Sequence, residues 1–190
     1  MSNVELATAK DIDAIASIHA ISLASDVLPH FGRNYLKKYY SEIIQSPRKD
    51  VLIYRQQNKV TGFIVLRTGS FSMTSILRLK DIVVFLCHCL AKPSLFLRAV
   101  IQTVRQTHIA DCECEIDYFA VAIDQQGSGI GKALIHAAEN WCRDKNIQVL
   151  LTKTNNARLQ DFYLREKKAE TLKVFSILRE TYKVFKWTIE

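Results

Sequence analysis

The apolar positions change period several times along the chain, and each change marks an element. Val4 to Ala7 fits a short strand. Thr8-x-x-Asp11 resembles a capping box and predicts a helix start. Behind it Ile12, Ile15, Ala16, Ile18 and His19 recur at helical spacing. A second 3–4 rhythm follows Pro29, through Phe31, Tyr35, Leu36, Tyr39, Tyr40, Ile43 and Ile44, until Ser46-Pro47 stops it. Val51 to Tyr54 and Val60 to Leu66 are β-rich runs, and the polar stretch Arg55 to Lys59 joins them as a hairpin loop.

Residues 70 to about 110 carry two apolar runs, 82–90 and 95–104. A membrane span needs about 20 apolar residues. Lys92, Pro93 and Arg98 interrupt this stretch, so it reads as a helical insertion hinged near Pro93, with no membrane span. Four roles stay open for it: cover over a substrate cleft, a homodimer contact, a membrane-surface contact, or plain core packing. Beyond it Glu115 to Ile123 reads as a strand. A glycine-rich turn hands over to a helix from about Ile130 to Arg143, with Leu134, Ile135, Ala138 and Cys142 on one stripe. Ile147 to Thr152 is another strand. Asn155-Asn156 turns into a short helix bearing Leu159, Phe162 and Tyr163, and 174–178 with 182–189 form a closing hairpin. No repeat, low-complexity tract or linker divides the chain, so residues 1–190 read as a single domain.

Composition narrows the classes. Six glycines and three prolines in 190 residues are too few for a collagen-like or Pro/Gly-rich disordered chain. Lys and Arg exceed Asp and Glu by 26 to 19, a net charge of +7 that suits an anionic ligand. The basic residues are scattered, with no dense block or aromatic–basic clustering, so a nucleic-acid partner is not expected. The amino terminus lacks the basic-then-apolar order of an export signal, and five cysteines then read as reduced thiols in a cytoplasmic protein. Cys87-His88-Cys89 and Cys112-Glu113-Cys114 place ligand types closer than structural zinc uses, so no metal is expected.

The segment richest in chemistry is Gln126-Gly127-Ser128-Gly129-Ile130-Gly131-Lys132, where a strand hands over to a helix. Glycines let the backbone approach a ligand closely. The unpaired N–H groups of the first helical turn, with the helix dipole, favour an anion such as a pyrophosphate. A Walker loop is excluded by spacing, because only three residues separate Gly127 from Gly131, and Ala133 stands where a magnesium-binding hydroxyl belongs. A dinucleotide fingerprint is excluded too, because Lys132 occupies its third glycine position.

The pattern Gln126-x-x-Gly129-x-Gly131 resembles the acyl-CoA loop of the GNAT superfamily of N-acyltransferases. The order from Glu115 to Tyr163 is strand, loop, helix, strand, Asn, and a helix with Phe-Tyr, and it resembles that family as a whole. The resemblance implies an α/β (α+β) fold with a mixed, mostly antiparallel sheet, flanking helices and the added helical insertion around 70–110. It implies acetyl-CoA as co-substrate and a small amine, amino-sugar or peptide amine as acceptor, in an enzyme that is an N-acetyltransferase. The backbone of Phe119, Val121 and Ile123 would line the pantetheine arm. Amides from Gln126 to Lys132, including Gly127, Ser128 and Ile130, would cradle the pyrophosphate. Asn156, with Asn155 as its rival, would contact the cofactor, and Tyr163 would protonate the departing thiolate. Lys167-Lys168 departs from the family's usual Gly-Phe.

The chemistry implied is direct attack of a neutral amine on the thioester, for which a carboxylate or a relayed water removes a proton. Glu115 and Asp117 are two apart on the predicted strand, so alternation puts them on one face with Phe119 and Val121. Glu115 is the first candidate base and Asp117 the second. The alternative reading of these residues is a GNAT-fold module that holds acyl-CoA without turnover.

Overall fold

A computed structural model of the chain describes residues 3–69, 113–177 and 180–189. The expected insertion around 70–110, with its helical, membrane and Cys87–Cys89 readings, and Cys112 lie outside the described residues. Among the described residues no helix is long and apolar enough to cross a membrane.

The described chain runs β1 (Val4–Leu6), α1 (Ile12–Ser22), α2 (Arg33–Ile44), β2 (Lys49–Gln56), β3 (Lys59–Thr68), β4 (Cys114–Val121), α3 (Ile130–Asp144), β5 (Val149–Thr154), α4 (Ala157–Glu166), β6 (Glu170–Ile177) and β7 (Glu180–Thr188). The seven strands form one sheet in the order β1-β2-β3-β4-β5-β7-β6. Every pairing is antiparallel except β4 with β5. The mixed, mostly antiparallel sheet is the one the sequence implied.

Local chemistry sets the element ends. Asp11 Oδ2 accepts from Thr8 N–H and from Thr8 Oγ1, both at 2.9 Å, so the predicted box starts the α1 segment through one 3-10 turn. Arg55 adds a 2.7 Å bond to the other oxygen and ties that helix start to β2. The β2–β3 turn carries positive φ at Gln57 and Asn58, 48° and 66°, as a primed hairpin turn requires. Asn156 caps α4, its Oδ1 accepting from Leu159 N–H at 3.2 Å.

The sheet is covered on both faces. On one, Ile15, Leu36, Tyr40 and Ile43 of α1 and α2 bury against Val51, Ile53, Phe63 and Val65. On the other, Leu134, Ile135, Ala138 and Cys142 of α3, with Tyr163 of α4, bury against Leu52, Ile64, Leu66, Ile116 and Phe185. Leu134 is fully buried there, and truncating it to alanine should cost about 2–5 kcal/mol. Cys114 and Cys142 are buried in that same core.

The Lys167-Lys168 departure has a structural counterpart. Lys167 Nζ reaches the buried Glu139 of α3, 2.8 Å from Oε2, while Trp187 Nε1–H donates to Oε1 at 3.0 Å. A buried carboxylate is thus fully partnered, and the end of α4 is pinned to α3 and β7. Lys168 takes positive φ, 48°, and Ala169 N–H returns to the Tyr163 carbonyl at 3.0 Å to close the helix.

Candidate active site

The parallel pairing of β4 with β5 is short. It joins Cys114, Glu115 and Ile116 to Leu150, Leu151 and Thr152, and then the two strands part. The cause lies in β4. In the ladder with β3, Val65 faces Tyr118 and Leu66 faces Ile116, so Asp117 is the extra residue of a β-bulge. A bulge bends its strand and disrupts the ladder. Here it sits one residue past the last β4–β5 pair. Beyond it β4 follows β3 and β5 follows β7, and a cleft of about 560 Å³ opens between them.

The bulge also corrects one expectation. Strict alternation would put Glu115 and Asp117 on one face with Phe119 and Val121. The extra residue shifts the phase. Phe119 and Val121 pack on the α3 side, whereas Tyr118 and Ala120 pack on the α1–α2 side. Glu115, next to the α3-side Ile116, lies on that opposite face, and with Asp117 it meets Arg67. A second correction concerns Ile123. β4 ends at Val121, where Ala122 N–H donates to the Thr61 carbonyl, and a 3-10 turn takes over at Ile123. Ile123 is 59% exposed and does not line the cleft.

The glycine loop closes one end of the cleft. Gly129 is the N-cap of α3 with φ 85°, a left-handed conformation that glycine takes without strain. A Cβ on Gly131 would stand 3.2 Å from the Phe119 ring, so any larger residue would push on that ring where the first helical turn sits against β4. The loop is internally braced, with Ser128 Oγ donating to the Gln125 carbonyl at 2.6 Å. Gln126, Gly127 and Gly131 line the cleft together with Phe119 and Val121. Ile130 turns into the core instead, and Lys132 pairs with Glu166 at 3.0 Å across the ends of α3 and α4. The Val121 carbonyl accepts from Ser22 Oγ at 3.0 Å and from Gln126 Nε2 at 3.3 Å, which joins the end of α1 to the loop. An uncapped helix start whose glycine keeps the backbone flush with the cleft fits a pyrophosphate.

Across the opening, Asn155, Asn156 and Tyr163 also line the cleft. Asn155 Nδ2 donates to Glu180 at 2.8 Å, and Asn156 is committed to its cap. Tyr163 is 1% exposed, its ring stacked on Trp187 with centroids 5.3 Å apart. Burial raises its phenol above the usual range, against an opposing hydrogen bond to Thr152, so the hydroxyl keeps its proton.

The two β4 carboxylates sit in a buried charge cluster. Asp117 lies 2.7 Å from Lys49 Nζ and 2.9 Å from Arg67 Nε. Glu115 contacts the Arg67 guanidinium through Oε2 and lies 3.2 Å from Lys153 Nζ through Oε1. Burial pushes the Asp117 pKa up, but Lys49 and Arg67 outweigh it and hold the carboxyl below its ordinary value. Burial pushes the Lys49 ammonium below the usual lysine range, against the pull of Asp117. The two directions share one cause: Lys49 and Arg67 divide one carboxylate between them in a buried place. Asp117 and Lys153 line the cleft; Glu115 lies behind Lys153 and does not.

Several lining residues had not been singled out in the sequence. Ser22, Ser25 and Asp26 come from the end of α1 and the loop after it, and no local pattern marks them. Arg158, two residues into α4, also lines the cleft.

The wedge between parting strands, closed by an amide-rich helix start, suits a ligand that carries a pyrophosphate. The sequence profile of the acetyltransferase (GNAT) family matches residues 20–167, and the chain belongs to that family. It is thus an acyltransferase with acetyl-CoA as donor. Among curated proteins, none matches the chain in sequence. Solved structures share the fold at low identity. An N-acetyltransferase from Staphylococcus aureus Mu50 is similar at 12% identity and TM-score 0.64, with 98% of each chain covered. The ribosomal-protein-S18-alanine N-acetyltransferase of Escherichia coli is similar at 12% identity and TM-score 0.61, covering 98% of this chain and 93% of that one. A Bacillus anthracis acetyltransferase in complex with acetyl coenzyme A is similar at 17% identity and TM-score 0.51, covering 80% of this chain and 68% of that one.

Proposed function

We propose that the protein is a cytoplasmic, single-domain N-acetyltransferase that moves the acetyl group of acetyl-CoA to a primary amine by direct attack. The carrying observation is Tyr163, a buried phenol kept protonated on the wall of the cleft where β4 and β5 part. The donor supplies an activated acetyl thioester. Amides of Gln126 to Lys132 hold its pyrophosphate, and the β4 edge at Phe119 and Val121 guides its pantetheine arm. The amine nitrogen forms the new C–N bond, the C–S bond breaks, and the Tyr163 hydroxyl gives its proton to the departing sulfur. The amine's proton leaves toward Glu115, the first candidate base, or Asp117, and a bridging water suits the position of Glu115 behind Lys153.

One observation favours the second reading, a non-catalytic acyl-CoA-binding module. Both β4 carboxylates already face cations, and Asp117 is a weaker base than an ordinary carboxylate. Two measurements are needed, and the second separates the readings. Calorimetry with CoA should show binding under either. Thiol release from acetyl-CoA with a panel of small amines, amino sugars and peptide amines should show turnover only under the first.

A further inference from the structure

The end of α1 and the loop after it supply part of the cleft wall, and a buried polar array stands behind them. His19 is fully buried between Phe63, 6.2 Å away by ring centroids, and Tyr118, 4.8 Å away. Its Nδ1 is 2.6 Å from the Tyr40 hydroxyl. Burial pushes the Tyr40 phenol well above its usual range, so that hydroxyl keeps its proton. The phenol and the ring nitrogen share one short hydrogen bond, which fixes the plane of the imidazole. Nε2 faces Asp26 Oδ2 at 3.6 Å. Val27 N–H donates to Asp26 Oδ1 at 2.8 Å. The Asp26 carboxylate is thus held at Oδ1, with Oδ2 turned toward the His19 ring beyond hydrogen-bond distance, and Asp26 lines the same cleft as Tyr163 and Gly131. Burying a histidine and a tyrosine hydroxyl is costly unless they hold one another in place. Here their line of contact ends on a carboxylate at the cleft wall.

We propose that Asp26 is the acceptor-recognition residue, whose carboxylate holds the ammonium form of a primary alkyl amine, with His19 and Tyr40 as its positioning residues. This rests on the acetyltransferase reading above. It names the substrate class: amines protonated at neutral pH are collected from solution by the carboxylate, and weakly basic aryl amines are not. Deprotonation and transfer then follow as already described.

The test uses the full chain, acetyl-CoA and four probe amines: cadaverine, spermidine, tyramine and the weakly basic 4-aminophenol. Thiol release should be faster for the alkyl amines. Asp26→Asn should raise the KM for an accepted amine about tenfold to a hundredfold, the range for losing a hydrogen bond to a charged group. The KM for acetyl-CoA should stay as in the parent, and Asp26→Glu should recover part of the loss. Tyr40→Phe removes only the hydroxyl that steers His19, and should raise the amine KM about two- to fivefold. It decides the matter if Asp26→Asn does not fold. An unchanged amine KM in the folded variants, or a preference for 4-aminophenol over tyramine, overturns the proposal. CoA binding without turnover of any probe supports the module reading and removes this inference with it. Absence of CoA binding means that the donor site itself is misassigned.

Discussion

The two faces of the sheet meet the cleft with different materials. On the α3–α4 side the cleft is made of the glycine-lined helix start, Phe119, Val121 and the stacked ring of Tyr163, with Asn155, Asn156 and Arg158 at the start of α4. On the α1–α2 side it is made of charge: Asp26 before His19, and Asp117 between Lys49 and Arg67. The bulge at Asp117 divides β4 between them. A donor with an invariant pyrophosphate can be held by amides that no side-chain change removes. An acceptor is chosen by side chains, and the ones proposed above sit on the face where the alternation of β4 has slipped. The comparison teaches that the donor half should tolerate little backbone change, while the acceptor half should answer to single charges.

The largest expected effect tests the donor half. Tyr163→Phe keeps the ring against Trp187 and Phe185 and removes the hydroxyl alone. Fold and CoA affinity should survive, while turnover should fall by about 10²–10⁴, the range for a positioned acid or base. Steady-state rates beside CoA titrations check it, and a parent-like rate would reduce Tyr163 to a core aromatic. Next comes Gly131→Asp. It places a Cβ against the Phe119 ring and a negative charge at the first turn of α3. CoA binding should weaken about tenfold or more, measured by calorimetry on variants whose melting curve remains cooperative. If the folded variant binds CoA as the parent does, the amides of that turn do not hold the phosphates.

A smaller effect tests the charged half. Glu115→Gln should lower turnover most near neutral pH and partly recover in alkali, where more amine is already deprotonated. A deficit flat across pH would make Glu115 a partner of Arg67 and Lys153 and nothing more. Asp117 would then be the next carboxylate to replace.

The same division explains what was legible in the sequence. Among the described residues, element order, sheet class and the strand-to-helix position of the glycine loop were read correctly, because each depends on local pattern: helical spacing in α1, α2 and α3, and Gln126-x-x-Gly129-x-Gly131 at a strand-to-helix junction. The faces of β4 were misread, although a trace of the bulge was present. A strand with Glu115, Asp117, Phe119 and Val121 on one side would mix two carboxylates with two core apolar residues, and a slip of one residue sorts them. The partners of those carboxylates could not be read. Lys49 and Arg67 come from two other strands, and only the sheet register brings them to Asp117. His19 was recognised as a core position, but its Tyr40 and Asp26 neighbours belong to α2 and the loop after α1.

The smallest effect concerns stability in acid. The folded-state pKa of Asp117 lies below its unfolded value, near 4, because Lys49 and Arg67 favour the carboxylate against the cost of burial. Between the folded and unfolded values the unfolded chain binds more protons, so stability rises with pH across that window. The contribution is complete above the unfolded value and is lost as pH falls through the folded one. Asp13 and Glu166 have depressed values too, from Lys37 and Lys132, and titrate in the same direction. They are exposed pairs, so salt should erase their share, since charges in water are screened within about 8–10 Å at moderate ionic strength. The buried cluster should keep its share. Denaturant unfolding from pH 6 to pH 3, at low and high salt, reads the difference. Asp117→Asn should flatten the acid slope that survives in high salt, whereas Asp13→Asn should flatten only the part that salt removes. If both variants lose the same salt-sensitive part, the cluster around Asp117 is open to solvent, and the contrast between the two sides of the cleft is weaker than the packing indicates.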